Sequence, residues 1–279
     1  MIPNQFHFVF GLKPQIEPFH IAHFLCLESC RLVNDPDSIH FHCHHEPHGE
    51  WWDRIKGRLT LHQLDPVPFV RDHPSYFAHD EGRLIKAWNL DYAHQADFVR
   101  LQVLASNGGV YADMDTLFVR KLRAELFSER FVIAEEDLVT SPREPAPELL
   151  LCNAFLMSAR DSMFARAWLD RMYQVFDGTW NRHSSDEAAR LSRVMPGEVR
   201  VVPTRHHYRF PCTPEGIRTL LQGIDTDLED VYSVHLWAHM WWSPLRTDIT
   251  TFHKGLLTEQ FIRTVDTTYN LIARRYLDA

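Results

Sequence analysis

A helical pattern, two glycines, a short apolar strand and two closely spaced aspartates follow one another in residues 93–116, AHQADFVRLQVLASNGGVYADMDT. The helix is indicated by apolar residues at helical spacing, Phe98, Leu101, Leu104 and Ala105. Gly108 and Gly109 end it, because glycine adopts the left-handed backbone conformation that closes many helices. Residues 110–112 then have the apolar pattern of a short buried strand. This order predicts a helix-to-strand unit of an α/β fold.

The two aspartates stand directly after the predicted strand. Side chains alternate between the faces of a strand, so we expect Asp113 and Asp115 on one side and Met114 inside the protein. Two carboxylates placed in this way form a site for a hard divalent cation. Asp97 and Arg100 are three residues apart on the preceding helix and therefore share a face. An acid and a base beside a possible metal site suggest a bound phosphate ester.

The Asp-x-Asp spacing alone is weak evidence, because it occurs three times in the chain. Asp35 and Asp37 lie in an Asn-Asp-Pro turn, where aspartate hydrogen-bonds its own backbone. Asp225 and Asp227 lie in an acidic stretch that has the pattern of a solvated loop. The remaining pair follows a glycine turn and an apolar strand, and this context favours a functional site.

The whole segment resembles the signature of the glycosyltransferases whose sugar-binding region contains a DXD motif, family 32 and its relatives, which include the large bacterial glucosylating toxins. That signature is approximately A-x-x-(S/A)-D-x-x-R-x-x-x-L-x-x-x-G-G-x-Y-x-D-x-D. The chain matches it at ten positions, Ala93, Ala96, Asp97, Arg100, Leu104, Gly108, Gly109, Tyr111, Asp113 and Asp115. The resemblance implies a Rossmann-like GT-A fold of the α/β class, with a mainly parallel mixed sheet flanked by helices.

The same resemblance implies roles for the matched residues. Asp115 is expected to bind Mn²⁺ or Mg²⁺ that bridges the two phosphates of a nucleotide-sugar donor. Asp113 is expected to contact the ribose and the metal or its waters, while Asp97 and Arg100 hold the donor sugar. These four side chains form the expected catalytic set, and Tyr111 is expected at the donor.

Three further segments resemble the family more loosely. The opening strand, residues 6–10, ends near the nucleotide in the family, so Phe8 or Phe10 is expected to stack on the base, with a core role as the alternative. Asn153 lies in LLLCNAFLMS and is expected to point at the donor or acceptor. Residues 231–242, VYSVHLWAHMWW, resemble a late A-x-H-x-W-x-x-S-W segment. There His235 is expected to complete the metal shell and Trp241 to close over the donor, although Met240 stands where the family often has serine. The alternative is a core histidine with tryptophans that only pack.

Two other polar clusters allow more than one interpretation. His40, His42 and His44 share a face of a predicted strand, so a zinc site is geometrically possible, but neutral histidines also line half-buried sheets. This cluster, which continues to His48, stays open. The acidic run 135–137 ends another strand and offers either a general base or a solvated charge cluster.

The composition restricts the class of protein. The 279 residues accommodate a single domain over 1–279, with a core over about residues 1–160 and acceptor or lid elements over about 161–279. The formal net charge of −8 argues against nucleic acid as a partner. No stretch of 18 or more apolar residues is present, the N-terminus lacks a signal-peptide pattern, and the five cysteines lack paired spacing. We therefore expect a cytoplasmic protein without a transmembrane segment, either free or peripheral at the inner membrane face.

The expected function is metal-dependent transfer of a sugar from a nucleotide diphosphate, a UDP-sugar or GDP-mannose, to an acceptor hydroxyl. The resemblance implies retention of anomeric configuration and a place in polysaccharide or glycoconjugate synthesis, with a carbohydrate, a lipid-linked glycan or a protein as acceptor. A sugar-nucleotide-binding protein without transferase activity is one alternative. A metal-dependent phosphoesterase is the other, and it would need further ligands such as the histidine cluster.

Overall fold

Seven strands form the central sheet of the protein, for which a computed structural model describes residues 1–65, 76–78, 84–86, 91–137, 150–238 and 256–278. The sheet strands are β1 (Gln5–Val9), β2 (Ser38–Cys43), β3 (Thr60–Gln63), β6 (Gly109–Ala112), β8 (Phe131–Glu135), β9 (Leu151–Ser158) and β10 (Arg200–Val202). Their spatial order is β10-β8-β9-β6-β1-β2-β3. All neighbours are parallel except β9, which is antiparallel to both β6 and β8. The prediction of a mainly parallel mixed sheet is confirmed.

Helices cover both faces of this sheet. In chain order they are α1 (Ile21–Asn34), α2 (Glu50–Ile55), α3 (Asp91–Asn107), α4 (Met163–Val175), α5 (Ser185–Val194), α6 (Arg205–Tyr208), α7 (Pro214–Gln222), α8 (Glu259–Thr264) and α9 (Thr268–Ala273). One core includes residues of α1, α2 and α9, and the other includes residues of α3, α4 and α5. Alternation along β1 divides its residues between the two, since Phe6 and Phe8 belong to the first core and Val9 to the second. No helix among the described residues is long and apolar enough to cross a bilayer.

The two glycines of the signature make the turn from α3 into β6. The helix ends at Asn107, and the Gly108 N–H donates to the Leu104 carbonyl at 2.9 Å. Gly108 and Gly109 have φ angles of 67° and 106°, in the left-handed region that other residues avoid. A Cβ at Gly109 would lie 2.6 Å from the Gln5 carbonyl oxygen on β1. These glycines therefore let β6 pair closely beside β1.

A separate two-stranded ribbon joins the chain after the aspartates to the C-terminal part. Its strands are β7 (Thr116–Phe118) and β11 (Ser233–His235), which pair antiparallel with His235 opposite Thr116. Pairing between segments so distant in sequence brings His235 beside Asp115. The pairing of β7 with β11 is therefore the reason that His235 lies in the same site as the two aspartates.

Two segments outside the site differ from what their sequence predicts. Residues 66–83, rich in Pro, His and Asp, predict a loop, but β4 (Tyr76–Ala78) lies in this range and pairs antiparallel with β5 (Leu84–Lys86). Residues 251–277 are predicted to form one C-terminal helix, but the described part contains two helices, α8 and α9. Val265 is extended there, and the Thr267 hydroxyl accepts a hydrogen bond from the Asn270 N–H at 3.1 Å, which caps a new helix.

Candidate active site

Asp113 and Asp115 lie in the turn between β6 and β7. The Asp113 N–H donates to the Ala154 carbonyl at 2.9 Å, and the Asp113 carbonyl accepts from the Thr116 N–H at 3.1 Å. The pair is therefore held by a tight turn, and the predicted strand alternation does not apply. Met114 is buried as predicted. The aspartate side chains nevertheless converge, and with His235 they offer three ligand atoms within 4.8 Å of one another.

His235 completes this group from the opposite strand of the ribbon. Its Nδ1 atom lies 3.4 Å from Oδ1 of Asp115, is buried, and has no hydrogen-bond partner among the described residues. The other carboxylate oxygen of Asp115 accepts the Ala238 N–H at 2.9 Å. An unpaired buried imidazole nitrogen is costly unless it has a ligand. This nitrogen and two carboxylates form a donor set that suits a divalent cation such as Mn²⁺. The residues present therefore fit the metal that the DXD pattern implies.

Arg100 connects α3 to the aspartate turn. Its Nη1 donates to the Asn153 carbonyl at 2.7 Å, and its Nη2 lies 3.1 Å from Asp97 and 3.4 Å from Asp113. The guanidinium also stacks over the ring of Tyr111 at 4.7 Å. A planar cation with several fixed contacts is well suited to hold two carboxylates in place. Arg100 is thus the centre of the polar network.

Both carboxylate oxygens of Asp97 accept hydrogen bonds. Asn153 donates from Nδ2 to Oδ1 at 2.8 Å, and the ring Nε2 of His183 lies 3.0 Å from Oδ2. Burial by itself would raise the pKa of Asp97, but Arg100 and His183 together lower it below the ordinary value. The structure thus brings Asp97, Arg100, Asp113 and Asn153 together. His183 is an addition, because the stretch around it, DGTWNRHSS, carries no recognisable pattern.

Two residues that were expected at the donor, Tyr111 and Phe8, are buried in the structure. Tyr111 is 1% exposed, and its hydroxyl donates to Oδ1 of Asp113 at 2.6 Å, so it orients that carboxylate from below. Phe8 is 0% exposed within the core that includes α1, so its ring has no free face for a base and the stacking prediction is wrong for it. Phe10, the alternative, is half-buried at the end of β1 against His23. Trp241 lies outside the described residues.

The acidic run after β8 contains one distinctive carboxyl group. Glu135 and Asp137 are exposed, whereas Glu136 is half-buried and hydrogen-bonded to the Cys152 thiol. Burial raises the pKa of Glu136 to about 7. The Cys152 thiol also interacts electrostatically with Arg100 and Asp113, so it connects Glu136 to the polar network of the site. Of the three acidic residues, this one has the environment of a functional group.

The histidines of β2 form hydrogen bonds with other histidines. His7 Nδ1 lies 3.2 Å from His42 Nε2, and His40 Nδ1 lies 2.8 Å from His62 Nε2. His44 instead contacts the Leu64 carbonyl and Gln95. Among the described residues, His40, His42 and His44 do not form a convergent ligand group. The geometry therefore favours a structural histidine cluster across β1, β2 and β3.

This cluster is expected to make the protein sensitive to acid. Burial, together with the imidazole of His40, lowers the pKa of His7 to about 4, and burial together with the imidazoles of His7, His62 and His40 lowers that of His42 to about 3. The unfolded chain binds these protons near pH 6.5, so unfolding takes up protons and stability is lost as the pH falls from about 6.5 toward 4. At about pH 5 each of the two imidazoles would lower the free energy of unfolding by about 2 kcal/mol. Because the two groups are coupled, their joint effect is smaller than the sum of the separate effects.

Urea unfolding at about pH 5 and about pH 7.5 checks this prediction. Replacing His42 by phenylalanine should reduce the difference between the free energies of unfolding at the two pH values. His45→Gln, at an exposed histidine, should leave that difference unchanged. An equal pH dependence in wild type and His42→Phe would contradict the assignment.

Comparisons with known proteins agree with this geometry. Residues 26–136 match the family described as "Glycosyltransferase sugar-binding region containing DXD motif". Over 285 residues the chain is 29% identical to Glucan organizing enzyme 1 of Cryptococcus neoformans, covering 99% of this chain and 71% of that protein. It is 30% identical over 142 residues to Glycosyltransferase afumC of Aspergillus fumigatus, covering 46% of this chain and 35% of that protein.

The fold is also found among solved structures. An active-site mutant of LgtC, a galactosyltransferase, matches with a TM-score of 0.50 and 14% sequence identity, covering 99% of this chain and 97% of that chain. At this identity the match supports the fold alone, which is the GT-A fold expected from the sequence. With the match of residues 26–136 to the DXD-containing region, these findings support a glycosyltransferase that is similar, over this segment, to the family whose sugar-binding region contains a DXD motif.

Proposed function

We propose that the protein transfers a sugar from a nucleotide diphosphate to an acceptor hydroxyl, with a divalent cation held by Asp113, Asp115 and His235. The convergence of these three side chains carries the proposal, and among them the buried His235 nitrogen has no hydrogen-bond partner in the part of the chain that the structure describes. A UDP-sugar is the first choice of donor and GDP-mannose the second. The acceptor is a carbohydrate, a lipid-linked glycan or a protein, in polysaccharide or glycoconjugate synthesis. The five free cysteines favour a reducing compartment such as the cytoplasm.

Each polar group of the site has a distinct part in this chemistry. When bound, Mn²⁺ or Mg²⁺ supplies a Lewis acid beside the leaving diphosphate. Arg100 adds a fixed positive charge next to Asp113, and Asp97 together with Arg100 orients the donor sugar. Because both side chains are already held by several contacts, they need little reorganisation during the reaction. Such preorganisation is a main source of catalytic rate.

We propose that the anomeric configuration is retained, on the basis of the family resemblance. In that case an oxygen of the departing phosphate can take the proton of the acceptor hydroxyl, and no protein base is needed. If the configuration is inverted, Glu136 is the proposed base, because a carboxyl with a pKa of about 7 accepts a proton effectively at neutral pH. The stereochemistry of the product therefore decides whether Glu136 has a catalytic role.

Two other functions have weaker support. A phosphoesterase with two metal ions would need a second ligand group. The histidines of β2 are hydrogen-bonded to other histidines, and in the group of His94, Asp97 and His183 the carboxylate is already paired with Arg100. In a binding protein without transferase activity, the buried network around Arg100 would only contribute to affinity for the donor and would not align it for reaction. Turnover with an acceptor excludes a protein that only binds the donor, and binding of a single manganese ion argues against a phosphoesterase.

Thermal denaturation with a panel of UDP, GDP, CMP and their sugars, with and without MnCl₂, tests the proposal. A ligand that binds the native state raises its melting temperature by mass action. We expect a manganese-dependent rise with one nucleotide and a further rise with its sugar. The same mixtures, incubated and analysed for released nucleoside diphosphate, report turnover. Folded protein that responds to no nucleotide would overturn the proposed function.

A further inference from the structure

The loop between α4 and α5 places one histidine in a closed aromatic cage. His183 is 0% exposed, stacked on Phe98 at 5.8 Å and in edge contact with Phe176 at 4.8 Å. Its backbone carbonyl accepts a hydrogen bond from Nε1 of Trp168 at 3.1 Å. Both the ring and the backbone of His183 are therefore fixed by neighbours from α3 and α4.

The fixed ring has one polar contact among the described residues. Its Nε2 lies 3.0 Å from Oδ2 of Asp97, while its Nδ1 is buried without a partner. With Asp97 ionised, Nε2 must carry the proton and donate it. Leaving Nδ1 unpaired costs free energy, which a phenylalanine in the same cage would avoid. The histidine at this position instead donates a hydrogen bond to the carboxylate of Asp97.

Asp97 in turn holds the rest of the network. Its other oxygen, Oδ1, accepts from Asn153 at 2.8 Å and lies 3.1 Å from the guanidinium of Arg100. In the part of the chain that the structure describes, His183 is the sole side chain hydrogen-bonded to Oδ2. Without it, the carboxylate could rotate about its terminal bond, and Arg100 would lose its fixed partner.

We propose that His183 is a positioning residue for sugar transfer, which holds Asp97 so that Asp97 and Arg100 are preset for the donor sugar. The inference rests on the proposed function, and it deepens it by separating recognition of the sugar from recognition of the diphosphate. The diphosphate is assigned to the cation site at Asp113 and Asp115, on the other side of Arg100. A defect at His183 should therefore act on the sugar part of the donor alone.

A second metal site is the competing explanation. His94, Asp97 and His183 offer three ligand atoms within 4.8 Å of one another, all buried. However, the charge of Asp97 is already opposed by Arg100 at 3.1 Å. A divalent cation bound by two neutral imidazoles and this shared carboxylate would bring a largely uncompensated charge into a buried site, which is unfavourable. A hydrogen bond from His183 needs no such charge.

Three variants at one position and a neighbouring control distinguish these explanations. His183→Gln keeps an amide N–H near the position of Nε2, His183→Asn has the same group on a shorter side chain, and His183→Phe keeps the ring without a donor. His94→Phe is the control, because His94 contacts the ring of His183 at 5.0 Å in the same cage and has no hydrogen bond to Asp97.

The measurements are affinity and turnover. Calorimetry in MnCl₂ would compare the UDP-sugar or GDP-mannose that stabilises the wild type with its parent UDP or GDP. We expect His183→Phe and His183→Asn to weaken binding of the intact donor about 10-fold or more and to lower kcat, with UDP or GDP binding within about twofold of wild type. His183→Gln should recover most of both, and His94→Phe should resemble wild type.

The other outcomes each overturn a particular statement. If wild type binds no nucleotide sugar, the proposed function fails and this inference fails with it. If wild type binds but the His183 variants lose sugar and parent nucleotide affinity equally, or lose neither, the positioning role alone is wrong. A second metal equivalent in purified wild type, lost in both His94→Phe and His183→Gln, would replace the hydrogen bond with a metal site.

Discussion

Asp115→Asn is expected to abolish manganese-dependent binding of the nucleotide and to lower sugar transfer about 10³-fold or more. The carboxylate of Asp115 faces His235 with Oδ1 and accepts the Ala238 N–H with Oδ2, so both oxygens have defined tasks. Asparagine keeps one oxygen acceptor but removes the charge that a divalent cation requires. Calorimetry with MnCl₂ and UDP or GDP, followed by turnover with the selected donor, measures both effects.

A matched control is available in the chain itself. Asp37 belongs to another Asp-x-Asp sequence, in an exposed turn before β2, and Asp37→Asn should leave binding, turnover and stability unchanged. Comparable folding of the two variants, checked by thermal denaturation, ensures that the loss in Asp115→Asn is local. If Asp115→Asn retained manganese-dependent nucleotide binding, the assignment of the cation to this turn would be wrong.

Arg100→Met is expected to have the largest effect on stability, about 3–5 kcal/mol, because it leaves the buried Asp97 and the half-buried Asp113 without their shared counter-charge. Arg100→Lys retains the charge but not the geometry. A lysine cannot contact the Asn153 carbonyl, Asp97 and Asp113 at once, as the guanidinium does. We therefore expect Arg100→Lys to be more stable than Arg100→Met, yet to lose about 10²-fold or more in kcat.

Urea unfolding at neutral pH and steady-state kinetics separate the two consequences. Arg166→Lys, at an exposed arginine on α4, is the control and should change neither quantity. Wild-type turnover in Arg100→Lys would show that a positive charge alone suffices at this position. An Arg100→Met protein as stable as wild type would show instead that the aspartates tolerate each other without a counter-charge, as they would if protonated.

The position of the two aspartates was accessible from the sequence because it depends on local chemistry. The helix before them, the glycines with left-handed φ angles and the short apolar strand β6 each follow from neighbouring residues. Their combination also matches a family signature, so Asp97, Arg100, Asp113 and Asp115 could be named together. The prediction that these aspartates lie on a strand was wrong. Their expected convergence still holds, because the turn directs both side chains to the same side.

The error at Phe8 has a simple physical reason. Resemblance placed the end of β1 near the nucleotide, but it could not decide how far along the strand the core extends. Phe8 and Phe10 point to the same face and both pack on the first core, but Phe8 lies within β1 and is fully buried, whereas Phe10 lies beyond its last residue and is half-buried. The burial of each residue depends on where the covering helices end. That information is absent from the strand's own pattern.

The sequence by itself therefore determined the α/β class, the helix-to-strand turn and the aspartates that follow it, because helical periodicity, glycine geometry and the signature all act over about two dozen residues. The tertiary structure decided which distant groups meet them. The resemblance named His235 as a metal ligand, and pairing of β7 with β11 places it at Asp115, whereas His183, which no sequence pattern indicated, is brought to Asp97 by the loop before α5. Such contacts depend on sheet register and on the packing of α4 against α3, which no local pattern encodes.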